Sequence, residues 1–294
     1  ALAGVRGPQP FKALLSFYAS MEHLCSVAGP LLDYISLSAI ITATAQLWTT
    51  AQVHSSFKPS ANSAAFELKR FCCIIFLQLE PMMSAVGARE ISNILWSSAK
   101  LGLHPDAFVP GMTDALAAKL LQLTKDEARR QPNTQEDANL LWALATLGHE
   151  PADKGLIDVV FKHFVMLIRH HDAQKRPTSQ GVSNVMWALG ELNHAPPDGA
   201  ASVILERPAA LCGLPRQAPN AQELSNTLFA CAVLRLEVKR AVSLALVDEL
   251  LRLDRASGNV QDYCSAAWSL TVSSVLSVDT FFALPPHSLH TDHL

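Results

Sequence analysis

The chain builds a nearly apolar helix, breaks it with Gly and Pro, and then builds it again. "EDANLLWALATLGHEPAD" (136–153) and "GVSNVMWALGELNHAPPD" (181–198) share an Asn, a Trp and the stop that follows them. Aligning on the aromatic residue extends the series to five copies, at 89–106, 136–153, 181–198, 223–240 and 262–279. The aromatics are Trp96, Trp142, Trp187, Phe229 and Trp268, spaced 46, 45, 42 and 39 residues apart. Three positions before each stand Asn93, Asn139, Asn184, Asn226 and Ser265. Apolar residues lie on nearly every side of these helices, as expected of a helix packed between neighbours. Helical units recurring about every 40 residues predict an all-α chain, an α-solenoid of helix–turn–helix repeats.

Start and stop signals fall in the same register. Nine positions before the aromatic come Gly87, Asn133, Thr178, Asn220 and Asn259, and acids follow three later at Glu90, Glu136, Glu223 and Asp262. A short polar cap with an acid at the third helical position satisfies free N–H groups and complements the helix dipole. The stops are Gly102 or Gly148, then Pro105, Pro151, Pro196 and Pro197. More amphipathic second helices are expected over 106–125, 153–172 and 238–254, with one face toward solvent or ligand. The repeat array occupies 85–279, after an irregular helical region at 1–84 and before a tail at 280–294. Within the first region, "LSAIITATAQLW" (37–48) reads as a degenerate copy with Thr42 at the aromatic position, and 51–66 as a loop.

Composition narrows the possibilities. Hydrophobic residues make up 49% of the chain, yet its apolar runs stay as short as "FCCIIFLQL" (71–79). That falls far short of the roughly 20 residues that cross a bilayer, so no membrane span is expected. The net charge of −3 provides no global field for nucleic acid, and any RNA contact has to be local. The six cysteines form no C-x-x-C pair and read as reduced core thiols in a reducing compartment. The chain begins at Ala1 rather than Met, which fits a fragment or a processed form.

The pattern L-S-N-x-x-W-A-x-A-x-L-G followed by Pro, best seen around Asn93/Trp96, Asn139/Trp142 and Asn184/Trp187, resembles the octotricopeptide-repeat proteins of green algae, relatives of proteins that end in a RAP domain. The resemblance covers about residues 85–279. It implies an organellar RNA-binding solenoid that stabilises, processes or helps translate RNA in mitochondria or, alternatively, chloroplasts. Similar algal proteins are built into mitochondrial ribosomes, where they hold pieces of fragmented ribosomal RNA. The modest local basic charge favours such a ribosomal component, contacting ribosomal RNA and ribosomal or other organellar proteins. A transcript-specific factor and a protein–protein scaffold without RNA are the alternatives.

The sequence favours a scaffold role for the two columns: Asn as a buried hydrogen-bond ladder, the aromatics as core. The RNA-contact candidates are instead Lys154, Lys162, Arg169, His170, His171, Lys175 and Arg176, in the second helix of the 136–153 repeat and the loop after it. Such cations supply salt-sensitive phosphate contacts without sequence choice. A weaker cluster comprises Arg235, Lys239 and Arg240. The terminal His287, His290 and His293 are metal-ligand types without a surrounding shell, so no metal is expected. No Walker loop, dinucleotide fingerprint, H-E-x-x-H or nucleophile elbow marks an enzyme, and no cofactor or small-molecule substrate is expected.

Overall fold

The computed structural model describes residues 9–28, 32–54, 61–126, 130–197, 199–214 and 216–253. The fifth copy, with Ser265 and Trp268, and the histidine tail lie outside these residues. The described residues form α1 (Gln9–Ala28), α2 (Tyr34–His54), α3 (Ala61–Leu79), α4 (Ala88–Leu101), α5 (Met112–Lys125), α6 (Thr134–Leu147), α7 (Leu156–Ile168), α8 (Ser179–Glu191), α9 (Ala200–Leu211), α10 (Ala221–Val233) and α11 (Arg240–Arg252), with no strand among them. The chain is all-α. It divides into two compact units, one ending at Val160 and one beginning at Phe161, the division falling within α7.

The aromatic-bearing helices start and stop where their caps require. Asn133 Oδ1 accepts from the Gln135 and Glu136 amides, while Glu136 accepts from the Asn133 amide, a reciprocal box that Asn220 and Glu223 repeat at α10. Thr178 caps α8 by accepting from Gly181 N. Each of the four helices then ends on a left-handed residue six positions after its aromatic: Gly102 (φ 65°), Gly148 (φ 62°), Asn193 (φ 48°) and Arg235 (φ 52°). The amide one residue further on donates back to Ser98, Leu144, Leu189 or Cys231. These bonds satisfy carbonyls that the helix end leaves without a partner.

In the first unit α4 packs along α6, and α2 packs along α4 in the same way. The segment around Thr42 therefore joins the stack, with Ser97 Oγ 3.4 Å from Thr42 Oγ1. In the second unit α8 packs along α10, flanked by α9 and α11. Close approach is made possible by small residues: a Cβ on Gly190 would lie 3.4 Å from Ala230 Cα. Ile91, Leu95, Leu140, Leu141 and Leu144 fill the first core, and Val185, Met186, Leu189, Leu224 and Leu228 the second.

Two expectations are corrected. The 51–66 loop is mostly helical, since α2 runs to His54 and α3 starts at Ala61; the four α2 threonines Thr42, Thr44, Thr49 and Thr50 bond their hydroxyls to carbonyls one turn back and so fit inside a helix. The helix expected from 106 starts at Met112, because Pro110 and Gly111 (φ 77°) interrupt it. The second helix of the 181–198 repeat, α9, tolerates Pro208 in its last turn. The apolar run 71–79 is the C-terminal half of α3, largely buried although Leu77 is exposed, and among the described residues no helix is long and apolar enough to cross a membrane. Cys72, Cys73, Cys212 and Cys231 are free thiols. Burial, helped by neighbouring Cys73, pushes Cys72 up to about 12, and burial does the same to Cys231.

Candidate nucleic-acid interface

The aromatic-bearing helices are buried except along one stripe. On α4 the stripe is Arg89, Asn93, Trp96 and Lys100, with Ile91, Ser92, Ile94, Leu95, Ser97, Ser98 and Ala99 all buried around it. The steps of four, three and four residues place all four stripe residues on one helical face. The same face carries Gln135, Asn139 and Trp142 on α6, Gln180, Asn184 and Trp187 on α8, and Gln222, Asn226 and Phe229 on α10. The first residue of each set is exposed, and the Asn and aromatic are half-buried. The stripe thus repeats as amide, amide, aromatic, with Arg89 replacing the first amide on α4.

This corrects the reading of the Asn column as an internal hydrogen-bond ladder. None of the Asn93, Asn139, Asn184 and Asn226 carboxamides has a hydrogen-bond partner among the described residues, so they form no ladder. The physical reason is the stacking itself. Packed helices bury their flanks against each other, but the edge they share still faces outward, and the columns lie on that edge. Each carboxamide there keeps two donors and an acceptor for a ligand.

In the first unit the stripes of α4 and α6 lie side by side. At their N-terminal ends they enclose a cavity of about 330 Å³, whose lining includes Arg89, Asn93, Arg130, Asn133, Gln135 and Asn139. Arg130 donates to buried Glu136 at 2.7 Å, whereas Arg89 has no ion-pair partner among the described residues. Further along, the Lys100 ammonium sits 5.7 Å from the Trp96 ring centroid and 4.7 Å from that of Trp142. The two partly buried indoles therefore share one cation, with a pair of amides and an arginine-lined cavity on one side of it. Amides suit base edges, aromatic faces suit stacking, and guanidinium groups suit phosphate.

The basic candidates are placed differently. Lys154 lies before α7 in the first unit and is paired with Glu150, four residues earlier in the connection that follows α6. The others belong to the second unit. Lys162 is exposed on α7, and His163 beside it is buried. Arg169 bonds Glu206 at 3.1 Å, and Lys239 bonds the other oxygen of the same carboxylate at 2.9 Å. Glu206 thereby joins the two basic clusters seen in the sequence. The Lys239 and Arg169 hydrogen bonds hold its carboxyl below the usual carboxylate range. Arg176 donates to the His170 carbonyl at 2.7 Å, the His170 and His171 rings stack at 4.2 Å, and Lys175 is exposed. Arg207, which the sequence did not single out, donates to the Pro177 carbonyl at 2.8 Å. Its pKa is lowered, by burial first and then by the charge of Arg176. The patch exists, but acidic and carbonyl partners already engage much of it.

Sequence reasoning missed the Gln135, Gln180 and Gln222 column, although its register, seven before the aromatic, was readable. No protein-family model matches the chain, and no curated protein does either.

Proposed function

We propose that this chain is an RNA-binding helical-repeat protein, an α-solenoid that holds single-stranded segments against the amide–aromatic stripe of its stacked helices. The observation that supports this reading best is the recurrence of partly buried Asn and aromatic residues along one helical face, the Asn carboxamides having no hydrogen-bond partner among the described residues. Within the first unit bases would stack on Trp96 and Trp142 and bond the Asn and Gln side chains beside them, with Arg89 taking phosphate; within the second, Trp187, Phe229 and their amides would do the same, with the Arg169–Arg176 patch for phosphates. Following the resemblance, the site of action is an algal organelle, the mitochondrion ahead of the chloroplast. The role is a ribosome-associated component that stabilises ribosomal RNA, with a transcript-specific factor as the alternative. The role is one of binding rather than catalysis. Large apolar side chains exposed in the first unit, including Val27, Ile35 and Phe66, favour a protein neighbour as well.

The test is binding of labelled single-stranded RNA to the whole chain by fluorescence anisotropy. The reading expects saturable binding that Asn139→Ala with Trp142→Ala greatly weakens, while Lys162→Glu with Lys175→Glu mainly lowers the salt dependence. Binding that ignores the stripe variant but disappears with the patch variant would move the interface to the second helices. No binding by any RNA would favour the protein scaffold. Sedimentation from organelle lysate with and without RNase separates the two RNA roles, since only the ribosomal one predicts co-migration with a subunit through a high-salt wash.

A further inference from the structure

The turns that close α4 and α6 bring together two histidines that the sequence keeps a full repeat apart. His104 follows the left-handed Gly102 and His149 follows the left-handed Gly148, so both rings are delivered by the same type of turn. Their centroids lie 5.2 Å apart. One ligand atom each from His104, Asp106 and His149 falls within 4.8 Å of the others. Asp106 Oδ2 is 3.8 Å from His104 Nδ1, and Asp114 Oδ1, in the first turn of α5, is 3.0 Å from His149 Nε2. We infer that His104, Asp106, His149 and Asp114 form a binding site for one divalent transition-metal ion of the zinc class.

The donor set selects the ion. Two imidazoles and two carboxylates match tetrahedral zinc, whereas magnesium and calcium require oxygen-rich shells. The two carboxylates also balance the ionic charge. Both are already oriented by backbone: Asp106 Oδ1 accepts from Thr113 N at 2.7 Å, and Asp114 Oδ1 from Ala152 N at 2.9 Å. Outer hydrogen bonds of this kind fix metal ligands in place. The contacts at His104 Nδ1 are long, 3.3 Å from Asp106 N and 3.5 Å from Thr113 Oγ1, and the ion would replace them. The ligands come from the turn after α4, the start of α5 and the turn after α6. An ion there clips consecutive helical hairpins of the first unit together, at the far end of α4 and α6 from the arginine-lined cavity.

The test uses the whole chain with His287, His290 and His293 replaced by Ala, which removes competing tail imidazoles. This protein is titrated calorimetrically with Zn²⁺ alone and spectroscopically with Co²⁺. The inference expects saturable one-to-one binding and cobalt bands without thiolate charge transfer, which rules out the cysteines as ligands. His104→Ala and Asp106→Asn are each expected to weaken binding by roughly 10–100-fold or more. The Asp106→Asn carboxamide oxygen still accepts from Thr113 N, so that variant keeps the turn intact even if His104→Ala does not fold. Absence of saturable binding, a thiolate band, or equal affinity in Asp106→Asn overturns the site. None of these outcomes depends on RNA.

Discussion

Arg235 holds a backbone conformation that the equivalent positions of the first two repeats give to glycine. Gly102 and Gly148 enter the left-handed region without a Cβ, while Asn193 and Arg235 do so with one. Arg235→Gly is therefore expected to raise stability by about 0.5–1 kcal/mol, and Gly148→Ala to lower it by about 1 kcal/mol, measured as shifts in urea midpoint. Trp142 is the residue on which the RNA reading is most exposed to failure. Its ring is partly buried on the stripe face, 4.7 Å from the Lys100 ammonium, so its truncation removes a candidate stacking surface as well as packing. Trp142→Ala is expected to cost about 1–3 kcal/mol of RNA affinity by anisotropy, with a smaller loss of stability than a buried Leu144→Ala, for which roughly 2–5 kcal/mol is expected. A larger loss of stability than of binding would return Trp142 to the core.

Helix boundaries were largely legible, because their determinants are local. An Asn three residues before a Glu at 133/136 and 220/223 forms the reciprocal cap that its spacing predicts. Asn133→Ala is expected to cost about 1 kcal/mol in chemical denaturation. Packing between helices was less legible. The helical Gly190 looks like a propensity defect until Ala230 of α10 is placed against it. Gly190→Leu is expected to destabilise by about 1–3 kcal/mol, because the two backbones have no room to part cheaply. Between elements, Glu206 ties the turn after α7 to the start of α11. Its carboxyl is held below the ordinary value, so the stabilisation is complete above that value and is lost as pH falls through the lowered one. The difference in melting temperature between wild type and Glu206→Gln is expected to shrink as pH drops from about 5 toward 3, the window below ordinary carboxylate titration.

At the scale of the whole molecule, the sequence and the structure point to different surfaces. The sequence directs attention to Lys162, Arg169, Lys175 and Arg176 because charge is visible in one dimension. The structure shows Arg169 already engaged with Glu206 and directs attention to amides and aromatics that carry no charge. If the stripe is the interface, RNA affinity is expected to fall only modestly with added salt, since few phosphates are neutralised. A steep salt slope in the anisotropy titration would favour the basic patch instead.

The sequence by itself determined the all-α class, the register of its repeats and the caps that start and stop the helices, because these depend on residues within one turn of each other. Only the tertiary structure decided which side of a nearly apolar helix stays open. A Trp reads the same whether buried or half-exposed, and its exposure depends on how neighbouring helices close around it. The same holds for His104 and His149, which no local spacing connects. They meet because α4 and α6 stack and each ends in a left-handed glycine turn, so that packing sets their distance and sequence separation does not.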